Sequence, residues 1–402
     1  MGKSEPWIDI VGIGEDGMAG LTPTARQVVE NAEVIIGGDR HHRLSDDIRA
    51  ERLSWPHPFD ALIDTIRELR GRRLVILATG DPLWFSVGAR IVRALGPEAI
   101  RFHPGISAFQ HAACRLGWSL ADCETLTAHG RPVEQLVPRF WPGARLIILT
   151  TGGETPGQVA RLLTARGFGP SRMTVFAALG GANEQRFDGV AESWAQLVPD
   201  FNTLAVECVA EPSARLLSPL PGLPDDAFVH DGQLTKREVR AATLSALMPA
   251  RGELLWDIGA GCGSVGIEWM RAAPDALAIA IEPDAARRAL VVENARTLGA
   301  PRLRLVEGRA PEALAGLPQP NAVFIGGGLA RATFDAAHAA LAPFGRLVVN
   351  AVSLESEALL AALQAEHGGE LVRIAVSRAA PVGRRRGWKP LMQVTQYRLV
   401  KR

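Results

Sequence analysis

Short apolar runs alternate with amphipathic stretches along the first 200 residues of the chain. Runs this short, separated by helix-like segments, are typical of strands in an α/β domain with a largely parallel sheet. We therefore predict strands at residues 7–13, 34–37, 74–79, 146–150, 174–178 and 203–207.

The pattern stops after these strands and starts again further along the chain. Residues 212–226 contain four prolines and show no periodicity, and proline both fixes φ and removes a backbone donor. We interpret 213–226 as a linker between two domains, 1–212 and 227–402, each long enough for its own core. In the second domain we predict a helix at 235–247 and strands at 254–258, 278–282, 303–306, 322–325 and 346–351.

The composition narrows the function without changing this picture. Of the 402 residues, 47% are hydrophobic and 22% are charged, with a formal net charge of +1. This balance indicates a globular protein and argues against bulk nucleic-acid binding.

The four cysteines form no CxxC pair and no zinc-ligand spacing, so we expect reduced thiols and no metal site. The first ten residues lack a signal-peptide pattern and no run of 18 apolar residues occurs, so we expect a cytoplasmic protein without a membrane partner.

The sharpest local signal is an apolar strand that runs into a glycine-rich turn and then a helix, LLWDIGAGCGSVG at 254–266. Glycines let the backbone adopt positive φ and approach a ligand closely. Glu282 ends the next apolar run, where an acidic side chain can accept hydrogen bonds from both hydroxyls of a ribose. The two signals together predict a nucleoside-containing ligand, and a glycine turn that binds nothing is the alternative.

The acidic residue ahead of the turn favours one cofactor. Nicotinamide-binding domains use GxGxxG to grip a pyrophosphate, whereas Asp257 here stands two residues before a GxGxG. A carboxylate beside the turn suits the cationic methionyl group of S-adenosylmethionine (AdoMet) better than it suits a diphosphate. We therefore predict AdoMet. An NAD-dependent reductase stays as an alternative class of enzyme, which turnover of the reduced cofactor would reveal.

Four segments of the second domain together resemble the decarboxylating precorrin methylase domain: TKREVR (235–240), the glycine turn, EGRAPEA (307–313) and FIGGG (324–328). The resemblance covers 228–402 and implies a Rossmann-like class I AdoMet methyltransferase domain. The positions that match the AdoMet contacts of that family are Thr235, Gly259, Ala260, Gly261, Cys262, Gly263, Glu282 and Ala310. Cys262 stands where the family usually has Ser or Thr, which leaves the backbone contacts intact.

Gly326, Gly327 and Gly328 follow a predicted strand at the carboxyl edge of the sheet, where ligands of α/β domains gather. Their missing side chains would leave room for a flat macrocycle against the AdoMet methyl group, so we take them as candidates for substrate placement. A strand end that simply turns is the alternative.

Loops of the first domain resemble the tetrapyrrole methylase superfamily across 7–210, and most of all its precorrin C-5 methylase branch. The segments that carry the resemblance are VGIGEDG (11–17), GLTPTA (20–25), GGDRHH (37–42), TGDPL (79–83), HPGISA (103–108) and HGR (129–131). The resemblance implies an α/β domain of two lobes with AdoMet in the cleft between them. The positions that match its AdoMet contacts are Asp81, Trp84, Ser107 and Ala108.

Polar residues in three segments have both a functional and a plainer interpretation. His129 and Arg131 are candidates for holding substrate carboxylates, but HGR also fits a solvated surface loop. Asp81 followed by proline also fits an ordinary turn. The run Arg384–Arg386 fits a solvated loop better than a grip on an acidic substrate.

Together the two resemblances imply that a tetrapyrrole, precorrin-6B, is methylated at C-5 and C-15 and loses its C-12 acetate carboxyl, giving precorrin-8 in cobalamin biosynthesis. They imply one AdoMet per domain and a homo-oligomer such as a tetramer. Precorrins are enamine-like nucleophiles, so an enzyme can work by holding the reactants in line. The absence of GxxxxGK[ST], GxSxG and HExxH motifs agrees with this. A first domain that only carries substrate is the remaining alternative, which counting AdoMet per chain distinguishes.

Overall fold

The computed structural model describes residues 5–402, which divide into two compact units. Unit 1 holds the chain up to residue 133 together with 140–215, and unit 2 holds 134–139 together with 216–402. The division falls inside the predicted linker, 213–226, so most of that segment belongs to unit 2. The predicted domain limits stay a prediction that expression of separate fragments can test.

The first lobe of unit 1 is a five-stranded, fully parallel sheet in the order β3-β2-β4-β1-β5. Its strands are β1 (Ile8–Ile13), β2 (Val34–Gly37), β3 (Glu51–Ser54), β4 (Leu74–Thr79) and β5 (Ile100–His103). Its helices are α1 (Pro23–Glu30), α2 (Asp39–Arg43), α3 (Leu62–Glu68) and α4 (Gly88–Leu95). The predicted strands 34–37 and 74–79 coincide with β2 and β4, because strands buried on both faces read as continuous apolar runs.

The second lobe of unit 1 is a five-stranded sheet in the order β6-β7-β10-β8-β9. Its strands are β6 (Cys123–Thr127), β7 (Arg145–Leu149), β8 (Arg172–Ala177), β9 (Gln185–Val190) and β10 (Asn202–Glu207), with helices α5 (Ala108–Leu116) and α6 (Thr155–Thr164). Only β6 and β7 pair in parallel. The expectation of a largely parallel sheet is therefore wrong for this lobe. Antiparallel β9 is partly exposed and polar, so a search for apolar runs does not find it.

Unit 2 contains a seven-stranded sheet in the order β13-β12-β11-β14-β15-β19-β16, in which β19 runs antiparallel to both of its neighbours. The strands of the unit are β11 (Leu254–Ile258), β12 (Leu277–Glu282), β13 (Arg304–Glu307), β14 (Ala322–Ile325), β15 (Arg346–Ala351), β16 (Glu370–Ile374), β17 (Ser377–Val382), β18 (Arg385–Pro390) and β19 (Val394–Val400). Its helices are α7 (Arg237–Leu247), α8 (Ser264–Ala272), α9 (Ala285–Thr297), α10 (Arg331–Ala340) and α11 (Leu354–His367). The parallel strands β11 to β15 give the Rossmann-like arrangement that the motifs imply.

Strands β17 and β18 form a separate two-stranded hairpin. Arg384 lies at its turn, whereas Arg385 and Arg386 begin β18. All three arginines are exposed, so the interpretation as a solvated segment agrees with the structure, although two of them lie in a strand and not in a loop. In the described part of the chain, from residue 5 onward, no helix is both long and apolar enough to cross a membrane.

The end of the predicted linker packs onto unit 2 through a buried ion pair. Arg240 in α7 is fully buried, and its Nε donates to Glu268 Oε1 at 2.6 Å. The Glu268 carboxylate also accepts from the backbone N–H groups of Gly222 (2.6 Å) and Leu223 (3.0 Å). Arg240 donates to the Leu223 carbonyl as well. This part of the segment is therefore bound to unit 2 and is not a free tether.

Candidate functional site

Three of the loops that resemble the tetrapyrrole methylases meet at the carboxyl ends of β1, β4 and β5. They are VGIGEDG (11–17), TGDPL (79–83) and HPGISA (103–108). Their backbones touch: a Cβ added at Gly12 would lie 1.8 Å from the Gly80 carbonyl oxygen and 2.5 Å from the Gly105 nitrogen. The Gly105 N–H donates to the Gly80 carbonyl at 3.2 Å. Segments far apart in the sequence thus form one floor at the sheet edge, where α/β proteins bind ligands.

The predicted AdoMet position Asp81 forms a turn beside this floor. Its Oδ1 accepts from the backbone N–H groups of Leu83 (2.7 Å) and Trp84 (3.2 Å), so Asp81 forms the turn that an aspartate before proline favours. The turn presents Trp84, which is 44% exposed and lies 5.6 Å from the Phe109 ring, centroid to centroid. AdoMet contact by Asp81 and Trp84 stays a prediction, and the turn is what positions both residues.

The other two predicted AdoMet positions of unit 1 begin α5. Ser107 is the N-cap: its Oγ accepts from the Gln110 N–H at 3.4 Å, and its own N–H donates to Gln110 Oε1 at 2.8 Å. Such a capping box satisfies two backbone donors at the start of a helix. Ala108 is the first helical residue. Ser107 therefore has a structural task that is independent of any ligand.

The HGR loop lies near the Trp84 turn. The exposed His129 ring donates from Nδ1 to the Thr150 carbonyl at 3.2 Å. The Arg131 guanidinium carbon lies 6.0 Å from the ring centroid of Phe85, the residue after Trp84. The structure thus brings Arg131 to the turn that carries two of the predicted AdoMet positions, while a role in binding carboxylates stays a prediction.

A polar cluster for which we predicted no role lies in the cleft between the two lobes of unit 1. Arg40 reaches both Glu15 and Thr79, and its guanidinium carbon lies 4.1 Å from the centroid of the Phe201 ring of the second lobe. His41 lies beside Arg40 and also contacts Thr79. The GGDRHH motif had been noted as part of the family resemblance, but the sequence does not show that its Arg40 and His41 side chains lie in this cleft.

Two glycine segments of unit 2 meet at the carboxyl edge of its sheet. A Cβ added at Gly259 would lie 2.8 Å from the nitrogen, Cα and oxygen of Gly327. The Gly326 N–H donates to the Ile258 carbonyl at 3.0 Å. The predicted AdoMet turn and the segment predicted for substrate placement are therefore in direct contact, and Gly328 follows with a φ of +71°.

The remaining positions of the glycine turn lead into α8. Gly261 and Gly263 have positive φ, and the Gly263 N–H donates to the Ala260 carbonyl at 2.9 Å. The Cys262 side chain is buried, and its carbonyl accepts from Asn294 Nδ2 at 3.0 Å. Asn294, which we did not predict, therefore holds the turn from α9.

Glu282 lies beneath the same turn at the end of β12 and is 3% exposed. Its Oε2 accepts from the Gly261 N–H at 2.7 Å, and its Oε1 accepts from the Asp284 N–H at 3.1 Å. A carboxylate oxygen has a second lone pair, so both oxygens keep the capacity for another donor. Glu282 thus shapes the turn in addition to its predicted contact with a ribose.

Thr235 lies in a loop that borders the turn. The Gln233 carbonyl oxygen is 3.5 Å from the position of a Cβ added at Gly261. Arg287 of α9 donates to Gln233 Oε1 at 2.8 Å, and the buried Arg240 donates to the Thr235 carbonyl. The loop is therefore held from two helices beside the predicted cofactor site.

Ala310, the last predicted AdoMet position, follows β13 and packs partly buried against the core of unit 2. Its carbonyl accepts from the Thr333 hydroxyl at 3.4 Å. The structure places it on the segment after the strand next to β12, which is at the same edge of the sheet as Glu282.

Asp257 is a buried acid at the end of β11 and is 1% exposed. Its Oδ2 accepts from the Gly266 N–H at 2.9 Å, while Oδ1 has no hydrogen-bond partner among the described residues, 5–402. Burial raises the pKa of Asp257 from its ordinary value of 3.8 to about 7, and the charge of nearby Glu282 acts in the same direction. An unpaired buried carboxylate oxygen is a site for a donor or a cation.

We expect Asp257→Asn to flatten the pH dependence of stability of unit 2. Between about pH 4 and pH 7 the folded protein keeps a proton on Asp257 that the unfolded chain has released, so the free energy of unfolding falls as pH rises through this window. Asparagine has nearly the same shape and cannot ionise. Urea unfolding of the full chain, followed by pulse proteolysis and detection of peptides from unit 2, measures the free energy of unfolding at each pH. This free energy should fall less from pH 4 to pH 7 in the variant than in the wild type. An equal fall in both proteins would contradict the raised pKa of Asp257.

Comparisons with known proteins agree with the two units. Residues 8–195 match the family model for tetrapyrrole (corrin/porphyrin) methylases, and 226–401 match the precorrin methyltransferase domain. A Sinorhizobium sp protein named precorrin-6Y C(5,15)-methyltransferase (decarboxylating) is 47% identical over 395 residues, which cover 98% of this chain and 96% of that protein.

Shorter relatives match parts of the chain. The cobalt-precorrin-7 C(5)-methyltransferase of Salmonella typhimurium is 33% identical over 180 residues, covering 44% of this chain and 88% of that protein. The cobalt-precorrin-6B C(15)-methyltransferase (decarboxylating) of the same organism is 35% identical over 162 residues, covering 39% of this chain and 83% of that protein.

Proposed function

This chain belongs to the family of precorrin-6Y C(5,15)-methyltransferases (decarboxylating), and from that membership we propose that it converts precorrin-6B to precorrin-8. The reaction comprises AdoMet-dependent methylation at C-5 and C-15 and loss of the C-12 acetate carboxyl, within cobalamin biosynthesis. The observation that carries the proposal is the contact between Gly259 and Gly327. It joins a glycine turn suited to a nucleoside with a segment of three glycines, which offers space for a flat substrate.

The residues around both sheet edges fit AdoMet, one molecule per unit. In unit 2 the unpaired Oδ1 of Asp257 suits a cationic group. Gly259, Gly261 and Gly263 of the turn have no side chains, and the Cys262 side chain is buried. Thr235, Glu282 and Ala310 complete the proposed set there. In unit 1 the proposed set is Asp81, Trp84, Ser107 and Ala108. When bound, AdoMet supplies a methyl group activated by its sulfonium.

We assign C-5 methylation to unit 1 and C-15 methylation with decarboxylation to unit 2. Separate relatives named for each of these reactions match 44% and 39% of the chain, so each activity exists in a protein about the size of one unit. Ring C, which bears the acetate, lies beside the C-15 position of the macrocycle. One bound pose in unit 2 could therefore serve both of its reactions.

The task of the side chains is orientation more than chemical activation. Precorrins are already nucleophilic, and holding two reactants in line lowers a barrier by about 7–11 kcal/mol at best. His129 and Arg131 would hold carboxylate arms in unit 1. For decarboxylation, the electron pair passes into the imine-like macrocycle, so unit 2 needs a pocket that leaves the departing carboxylate poorly solvated. Gly326–Gly328 would shape that pocket.

Product mass tests the proposed reaction directly. The full chain, incubated with precorrin-6B and AdoMet, should give a product that has gained two methyl groups and lost one carbon dioxide. Unchanged precorrin-6B would refute the proposal.

Isothermal calorimetry with AdoMet should show two sites per chain, and a single site would instead favour a first domain that only carries substrate. Sedimentation of the same sample tests the homo-oligomer, which stays a prediction.

Glu282→Ala should weaken AdoMet binding in unit 2. Loss of hydrogen bonds to an ionised acceptor costs about 1.5–3 kcal/mol, which is roughly 10- to 150-fold in Kd. Part of that loss comes from release of the Gly261 N–H. Glu307→Ala is the matched control, because Glu307 is the register neighbour of Glu282 on β13 and its side chain is 75% exposed. Equal calorimetric affinities in the two variants would remove Glu282 from the site.

A further inference from the structure

Two side chains of the GGDRHH segment (37–42), those of Arg40 and His41, contact the hydroxyl group of Thr79. Thr79 ends β4, opposite Ile13 of β1, and lines the cleft between the two lobes of unit 1. His41 Nε2 lies 3.0 Å from Thr79 Oγ1, and an Arg40 N–H group also reaches that oxygen. Two residues that are consecutive in α2 therefore converge on one atom of a neighbouring strand.

The hydrogen bonds define which way the Thr79 proton points. The Gly38 N–H donates to His41 Nδ1 at 3.1 Å, so Nδ1 is the acceptor and the ring proton sits on Nε2. His41 Nε2–H then donates to Thr79 Oγ1. Arg40 can only donate, so its Nη2, which lies 3.3 Å from His41 Nε2, is a second donor that converges on the same oxygen. Both lone pairs of the hydroxyl oxygen are thus occupied. The Thr79 O–H must then donate elsewhere. Because Thr79 is exposed at the end of β4, this donor is open to solvent and to a ligand.

Burial keeps this arrangement in one protonation state. His41 is 8% exposed, and burial, followed by the charge of Arg40, lowers the pKa of His41 to about 4. The imidazole is therefore neutral at physiological pH. Arg40 is paired with Glu15, so the cluster carries no net charge. At Thr79 the cleft accordingly offers a directed hydroxyl donor, and the nearby Arg40 is neutralised by Glu15.

We propose that the Thr79 hydroxyl donates to an acceptor atom of the tetrapyrrole, a carboxylate oxygen of one acetate or propionate arm, and that His41 and Arg40 are positioning residues for it. The inference rests on the proposed C-5 methylation in unit 1. Tetrapyrroles with acetate and propionate arms offer many such acceptors. Because the donor has one direction, it favours those poses of the macrocycle in which one of these arms lies at the Thr79 end of the cleft.

Thr79→Val tests the donor, because valine keeps the shape and removes only the hydroxyl. In the full chain we expect kcat/KM for the C-5 methylation to fall roughly 10- to 150-fold, the range for a hydrogen bond to a charged group, with the larger change in KM for the tetrapyrrole. A product with one added methyl group and one lost carboxyl should accumulate. The Kd for AdoMet should not change, and Thr79→Ser should restore most of the rate.

Thr164→Val is the matched control. The Thr164 hydroxyl donates only within α6, to the Ala160 carbonyl at 2.9 Å, so this variant should leave the C-5 rate unchanged.

A double-mutant cycle tests the positioning role of His41. His41→Gln should slow C-5 methylation in the wild-type background and have no further effect when it is combined with Thr79→Val. Unchanged kinetics in Thr79→Val, additive effects in the cycle, or a weaker Kd for AdoMet would each overturn the inference. A wild-type chain that does not methylate at C-5 would refute the proposed function instead.

Discussion

Arg240→Ala should lower the free energy of unfolding of unit 2 by about 3–5 kcal/mol, the usual cost of removing one partner of a buried ion pair. The cost is high because Glu268, which is 1% exposed, would keep a buried charge without its counter-ion. Arg240 also binds the carbonyls of Leu223 and Thr235. Its loss would therefore loosen the linker end and the loop beside the predicted AdoMet turn together.

Hydrogen exchange of the β11 and β12 amides measures this effect in the intact chain, because these central strands open only with the whole unit. Arg251→Ala provides the control. Arg251 pairs with Asp275 at 3.1 Å, but its side chain is 72% exposed, so the change should be about 0–1 kcal/mol. If the two arginine variants lose equal stability, the Arg240 pair does not hold unit 2 together.

Gly259→Ala should abolish C-15 methylation and decarboxylation while leaving unit 1 intact. The residue has a φ of +70°, and a Cβ there would lie 2.8 Å from three backbone atoms of Gly327. The left-handed conformation costs a non-glycine residue roughly 1–2 kcal/mol, and overpacking adds typically about 1–3 kcal/mol. Relief of the clash would move the glycine turn away from Gly326–Gly328, on which the proposed site depends.

Gly328→Ala separates the two contributions. Gly328 has a nearly identical φ of +71°, but a Cβ added there meets no atom within 4 Å. It should therefore show only the conformational cost in stability. Hydrogen exchange of the β11 amides compares the stability of the two variants, and calorimetric titration compares their affinity for AdoMet. If Gly259→Ala is no worse than Gly328→Ala in both measurements, contact between the two glycine segments is not required.

The strands that were predicted accurately share one property, which is burial on both faces. The predicted run 254–258 is β11 and the run 322–325 is β14, residue for residue, because parallel strands covered on both sides are continuous apolar runs. Strand β3 is short, mostly polar and partly exposed. The antiparallel end of the unit 2 sheet was not predicted either, because β16 is partly exposed and β19 mixes polar with apolar residues, so neither is a continuous apolar run.

The candidate site also contains features that the sequence predicted and features that it did not. The glycine turn and Glu282 were found because a strand, a turn and an acidic strand end are features of neighbouring residues. The interpretation of Asp81 as a turn was also available, since aspartate before proline favours one. Arg240 looked like an ordinary polar residue of a helix, because its partner Glu268 is 28 positions further along the chain.

The sequence by itself determined the buried parallel strands at the centre of the first-lobe and unit 2 sheets, the glycine loops that follow them and the family, because apolar runs and turn residues act over a few neighbouring positions. Only the tertiary structure decided which of those loops touch and which polar groups are buried together. Gly259 meets Gly327 across 68 positions and His41 meets Thr79 across 38. No local pattern contains such pairings, since they follow from the order of strands in a sheet and from how closely two backbones can pack.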